Sequence, residues 1–259
     1  MDPGTLIGVL LAFAAIFVGM VMEGGEPGSV LLIPALIIVF GGTFGAAMAG
    51  LGLRKFLAGF AQIPRALFAK PQQSEDTVRT LIGFAERARR DGLLALEETA
   101  RTIDDPFLRK GIELAVDGTD PEELRDILET EIEAKRSADK QGAKVFMDMG
   151  GYAPTFGIIG TVMGLIHVLE NLSQPDELGH LIAGAFVATL WGVLSANGMW
   201  LPIGKKLALV SEEEIRQMEL LVEGVMSIQA GANPRVIEQK LISFLPADER
   251  QNFVTDQAA

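Results

Sequence analysis

The chain has 259 residues, a formal charge of −12 and 49% hydrophobic residues. It has no cysteine, which excludes a disulfide framework, a thiol nucleophile and a thiolate metal site. The acidic balance, without a basic patch, argues against nucleic acid, and the apolar residues are too unevenly spread for length to give a domain count.

A helix that crosses a bilayer needs about 20 mostly apolar residues. Four stretches qualify, 5–22, 30–51, 151–169 and 181–203, and none contains Asp, Glu, Lys or Arg. Only Met1, Asp2, Pro3 and Gly4 precede the first, so it lacks the basic start of a signal peptide, and a second span follows at once. It reads as a retained helix. Between the second and third spans, residues 52–150 read as helical. Val78, Leu81, Ile82, Ala85 and Ala88 recur with a helical period, and Gly92 ends that helix. Asp120 is suited to cap the next helix, with Pro121 in its first turn and Glu123 placed to close a capping box. Leu124, Ile127, Leu128 and Ile132 give it one apolar stripe, and only Gly142 interrupts it before Gly150 and Gly151. The helix is therefore expected to run on into the third span. The tail after Lys206 is helical too, and Asn233 with Pro234 starts its last helix, "NPRVIEQKLISFL".

The expected architecture is an all-α membrane protein with four transmembrane helices, a helical cytoplasmic domain between spans two and three, and a helical C-terminal tail. Its parts are 1–51, 52–150, 151–203 and 204–259. All 22 Lys and Arg lie within 54–144 or 205–250, while the loops 23–29 and 170–180 have none. The positive-inside rule then puts both termini and the 52–150 segment in the cytoplasm.

Most charges in 52–150 read as an ordinary solvated helical surface. Around Gly92, however, Arg87, Arg89 and Arg90 are followed closely by Glu97 and Glu98. Opposite signs so close together could dock a protein carrying the complementary pattern. In the spans, Gly157, Gly160 and Gly164, and Gly184, Ala188, Gly192 and Ala196, let helix backbones approach closely. Pro154 and Pro202 stand at matched cytoplasmic ends of spans three and four, and each removes a backbone hydrogen bond. Thr155, Thr161, Thr189, Ser195 and Asn197 are the polar groups of these two spans. A lone membrane threonine ordinarily bonds its own helix backbone, but hydroxyls that share one space can solvate a small cation. Ion relays hold an acid in the membrane, and these spans have none. His167 and His180, toward the outer surface, read as polar anchors. If the chain moves ions, the essential acid must come from a partner helix.

"DPGTLIGVLLAF", "ARRDGLLALEE", "APTFGIIGTVMGLI", "LGHLIAGAFVATLWGVLSANGMWLPIGKKL" and "EGVMSIQAGANPRVIEQKLISFLP" together resemble the A subunit of bacterial flagellar stators, the MotA/PomA family, along nearly the whole length. The resemblance implies an inner-membrane homo-oligomer. In it, five A subunits surround two single-span MotB/PomB-type B subunits whose transmembrane Asp carries the ion, and ion flow drives the rotor switch-complex protein FliG. Pro154 and Pro202 match the family's two functional prolines, Arg89, Arg90 and Glu97 its rotor-contact charges, and Thr161 and Thr189 its ion-path hydroxyls. Thr155 is placed with them on the ion path. Asp148, the acid nearest Pro154, matches no family role. No resident cofactor or permanently bound metal is expected; the cargo is Na+ or H+, and the threonine at 161 favours sodium. An ExbB/TolQ-type energiser is the alternative, disfavoured by four spans with the large segment between the second and third. A purely structural membrane scaffold would need no aligned hydroxyls and prolines. An enzyme is the weakest reading, since no nucleophile–base pair or phosphate loop is evident.

Overall fold

The computed structural model describes residues 4–69 and 74–245, together with Arg250 and Phe253; these residues are helical or in short connections, with no strand among them. Positions 70–73, within the 52–150 segment read as helical, lie outside the described residues, as do Met1, Asp2 and Pro3 and, in the tail read as helical, 246–249, 251–252 and 254–259. Two compact units are present, 1–70 with 138–210 and 71–137 with 211–259.

The first unit holds the helices apolar enough to span a membrane. Helix α1 is Gly4–Met22. Helix α2, Ile33–Leu51, carries Pro34 in its first turn, where a missing N–H goes unnoticed. It includes a π turn at Ile37–Gly41. Gly52, at φ +81°, turns the chain from α2 into the short α3, Leu53–Phe60, and α4, Ile63–Phe68, follows. Helix α8, Pro121–Glu170, is continuous for 50 residues through Pro154, as the sequence predicts. Helix α9, Pro175–Ser195, passes through a second π turn, Ala196–Trp200, into α10, Leu201–Gln229.

The π turns are not foreseen by the sequence reading. A π turn widens the spiral by one residue. Placed just before Pro202, it gives the proline ring room against the carbonyl four residues back. Phe44, Phe56, Phe60, Phe146 and Trp200 form the core beside it, with Phe56 and Phe60 ring centroids 5.0 Å apart and Phe60 and Phe146 5.4 Å apart.

The second unit contains α5, Ser74–Asp91, α6, Glu97–Ala100, and α7, Pro106–Val116, together with parts of α8 and α10 and the last helix α11, Pro234–Ile242. Gly92, at φ +85°, ends α5, a left-handed conformation that favours glycine. Asp105 caps α7, its Oδ1 accepting from the Phe107 and Leu108 amides at 2.8 and 3.0 Å. Asp120 caps α8, accepting from Glu122 N at 2.9 Å. Asn233 caps α11, accepting from Arg235 N at 3.1 Å, but this helix ends at Ile242 rather than running on to Leu245. Leu81, Leu96, Ile112, Leu124, Leu128, Leu220 and Leu241 make the core. Phe253 is fully buried, with the Arg79 guanidinium 4.7 Å from its ring centroid.

Candidate functional site

The site forms where α8 crosses α9, and small residues set how close the two helices come. A Cβ on Gly192 would stand 2.7 Å from the Ala153 carbonyl oxygen and 2.9 Å from Gly157 Cα. One on Gly157 would stand 3.0 Å from the Ala188 carbonyl oxygen, and one on Gly164 2.7 Å from Ala185 Cβ. The neighbouring atoms are largely backbone, so the crossing tolerates glycine and little else.

This closeness brings two threonines together. Thr161 on α8 and Thr189 on α9 are half-buried, and their hydroxyls share a hydrogen bond across the helix pair. Thr161 Oγ1 lies 3.1 Å from the Gly157 carbonyl oxygen and 3.0 Å from that of Ala185. Thr189 Oγ1 lies 3.4 Å from the Gly157 carbonyl oxygen. Four oxygens, two hydroxyl and two carbonyl, therefore converge in one place. Each hydroxyl has a single proton. One hydroxyl can donate to the other, and the second to a carbonyl, so the site closes its own hydrogen bonds. Such oxygens are hard ligands of the kind an alkali cation accepts in place of water.

The remaining polar residues do not join this pair. Thr155 is exposed and donates to the Tyr152 carbonyl at 2.6 Å. Ser195 donates to Gly192 O at 3.4 Å, and Asn197 to Val193 O at 3.0 Å. Pro154 and Pro202 are half-buried, in the interior of α8 and the first turn of α10. His167 and His180 line one end of a cavity of about 400 Å³ whose walls include Leu32, Ala35, Gly160 and Gly164. His167 Nδ1 is 3.5 Å from Glu170, at an exposed position.

In the second unit, Arg89, Arg90 and Glu97 are all exposed on either side of the Gly92 turn. Arg90 pairs with Asp91 at 3.1 Å, and the hydrogen bond and charge of Asp91 raise its guanidinium pKa. Glu97 pairs with Arg101 at 3.1 Å. Arg87 does not extend the cluster outward but donates to Thr99 Oγ1 at 2.8 Å.

One constellation escapes the sequence reading. Arg65 on α4 grips Asp139 on α8 with its two terminal guanidinium nitrogens, at 2.6 and 2.8 Å, and the Asp139 side chain is only 9% exposed. Three residues from each, the amide of Gln62, which stands just before α4, fills the space beside Gly142 on α8. The isolated Gly142 in an otherwise unbroken helical pattern was the one signal of a close approach. Asp148, by contrast, is paired locally with Lys144 at 2.8 Å.

Residues 99–220 match the MotA/TolQ/ExbB proton channel family, and residues 6–92 match the N-terminal region of motility protein A. Motility protein A of Bacillus subtilis is 40% identical over 98% of this chain and 94% of its own length. Chemotaxis protein PomA of Vibrio alginolyticus is 34% identical over 96% of this chain and 98% of its own. Among solved structures, C. jejuni MotAB matches with a TM-score of 0.91 at 33% identity, covering 96% of this chain and 97% of that one. The flagellar MotAB stator complex of B. subtilis matches at 0.89 with 39% identity, covering 96% and 98%.

Four apolar helices, a closely packed hydroxyl-bearing crossing and these matches define a multi-pass inner-membrane protein of the channel class, and the chain belongs to the MotA/TolQ/ExbB proton channel family. Within it, the chain belongs to the MotA/PomA branch, the ion-conducting stator subunits of the bacterial flagellar motor. The ExbB/TolQ alternative gives way, because residues 6–92 match a region described for motility protein A and the relatives match over nearly the full length.

Proposed function

We propose that this subunit conducts sodium past the Thr161–Thr189 pair, against a membrane Asp supplied by a single-span MotB/PomB-type partner. The observation that carries this reading is the convergence of both hydroxyls with the Gly157 and Ala185 carbonyl oxygens. The absence of Asp, Glu, Lys and Arg from the apolar part of α8 and from α9 after Glu177 supports a carboxylate delivered from outside the chain. The similarity to two MotAB structures supports the partner's class.

The assembly follows the family pattern, five copies around two B subunits, with both termini and the second unit in the cytoplasm. The distribution of Lys and Arg supports that orientation. Pro154 and Pro202 are the points at which ion binding alters helix geometry, since a proline leaves a carbonyl without its helical donor. Arg89, Arg90 and Glu97 form the contact with the rotor protein FliG. Their exposure supports this role, and the local pairs with Asp91 and Arg101 are weak enough to exchange for rotor partners. Thr155, exposed one residue beyond Pro154, lies on the cytoplasmic approach to the path.

Rotation of tethered cells against sodium concentration tests the proposal. Valine keeps the shape of threonine and removes one oxygen ligand. An unmet polar contact costs about 1–3 kcal/mol, which is roughly a five- to 150-fold loss of site occupancy. Thr161→Val should abolish or cripple sodium-driven rotation while the complex still assembles, and Thr161→Ser should be milder. Rotation by Thr161→Val equal to wild type at every sodium concentration would show that Thr161 only packs.

A further inference from the structure

Helix α3 is a short amphipathic helix with an unusual division of its surface. Gly52 redirects the chain immediately after α2 ends at Leu51, so α3 starts within two residues of a membrane-crossing helix. One flank packs inward. Phe56 is buried among aromatic rings, and a Cβ on Gly59 would stand 2.7 Å from Val145 Cγ2, so α3 lies tightly against α8. A second face carries Leu53 and Leu57, which are 56% and 57% exposed. At 3.6 residues per turn these two leucines point within about 40° of each other. Arg54 lies about 60° beyond Leu57 on the side away from Phe56, and Lys55 lies on the far side of the helix from the leucines. Arg54 and Lys55 are both exposed, and no acidic side chain pairs with either among the described residues.

A single exposed leucine on a soluble surface needs no explanation. Two on one face, beside an arginine that pairs with no acid among the described residues, and continuous with a bilayer-spanning helix, have one in physical chemistry. An amphipathic helix lies in the membrane surface with its apolar face at the acyl boundary and its basic residues among the headgroups. Arginine binds phosphate through its planar fork of donors, and anionic leaflets attract basic residues next to a span.

We propose that α3 rests on the cytoplasmic membrane surface, with Leu53 and Leu57 among acyl chains and Arg54 binding the headgroup phosphate of an anionic phospholipid. Lys55 faces away from the bilayer and adds only longer-range attraction. The lipid thereby holds the outer side of α3 while Phe56 and Gly59 hold its inner side against α8.

Because the chain has no cysteine, Leu57→Cys gives a single labelling site at an exposed position. The full-length protein, labelled there with a fluorophore, is placed in nanodiscs of phosphatidylcholine with a small fraction of brominated lipid. Brominated phosphatidylglycerol should quench the label more than the same fraction of brominated phosphatidylcholine, with local enrichment of roughly fivefold for one basic residue near the surface. Arg54→Gln should abolish the difference, Arg54→Lys should keep most of it, and added salt should reduce it. A label at Lys55→Cys should be quenched far less by either lipid. Equal quenching by the two lipids with Arg54 intact would overturn the headgroup assignment. No quenching by either would overturn the membrane placement and show that protein, such as a second copy of this chain, covers the face.

Discussion

Replacing Gly192 by alanine places one methyl group at a point where the backbones of α8 and α9 come close. Its nearest neighbours are the Ala153 carbonyl oxygen at 2.7 Å and Gly157 Cα at 2.9 Å, both backbone. Carbon atoms pack best at about 3.5–4.0 Å, so the helices must part by about 0.5–1 Å at this level. The added strain costs about 1–3 kcal/mol. Alanine's better helix propensity offsets about 0.5–1 kcal/mol of it, leaving a loss of about 0–2.5 kcal/mol, which a folded membrane helix pair can survive. The functional cost is larger. Thr161 Oγ1 reaches the Ala185 carbonyl oxygen across the same crossing at 3.0 Å. Parting the helices by that amount takes the contact to about 3.5–4 Å, beyond hydrogen-bonding range, while the bond to Gly157 within α8 survives. Swimming speed and membrane abundance are compared in cells carrying only the variant. Gly192→Ala should swim at least fivefold more slowly at near-normal abundance. Gly184→Ala on the same helix, where the nearest atom is Leu32 Cδ1 at an ordinary 3.7 Å, should swim normally. Normal swimming by Gly192→Ala would refute the link between helix spacing and the hydroxyl pair.

Three further outcomes are expected. Expressed without a B subunit, the chain should not raise membrane conductance; robust sodium or proton flux from the purified subunit in liposomes would sink the shared-site proposal. Reversing Arg89 or Arg90 to Glu, or Glu97 to Lys, should impair swimming but change folding by no more than about 0.5 kcal/mol, because all three are exposed. A reversed facing charge on FliG should partly restore motility, and normal swimming of the reversals even at low salt, where surface charges are least screened, would rule out the docking role. Asp139→Ala should destabilise the first unit by about 1–3 kcal/mol, below the range for a fully buried pair because Arg65 keeps 25% of its side chain in solvent; thermal unfolding of the purified protein followed by circular dichroism measures it, and an unchanged midpoint would show that the pair contributes nothing net.

Much of the architecture is legible in the sequence because it is decided locally. The four spans follow from runs of apolar residues without charge, and the break at Gly92 from the one residue that adopts positive φ without strain; Gly52 breaks the chain in the same way but stands out in no sequence pattern. Asp120 and Asn233 each bond an amide two residues on, so their roles depend on adjacent sequence alone. The local fates of Thr155 and Asn197 belong to the same class: each hydroxyl or amide reaches a carbonyl three or four residues away on its own helix. Thr161 looks identical to them in sequence. What separates it is Gly157, which lets α9 close in until Thr189, 28 residues further along the chain, meets it.

The tertiary structure decides everything that depends on two helices choosing a distance and a rotation. Arg65 and Asp139 stand 74 residues apart, and no period or motif joins them. The π turn at Ala196–Trp200 lies where Pro202 and the Trp200 ring must be accommodated together, a demand that no single helix states, and the one at Ile37–Gly41 has no proline after it to explain it. Two of the three divisions between the units, between residues 137 and 138 and between 210 and 211, fall inside α8 and α10, where no loop marks them. Local sequence fixes what each helix is, because backbone propensity and capping act over three or four residues. Which side chains meet is fixed by packing, because a methyl group at Gly192 and the 2.7 Å beside it belong to different helices.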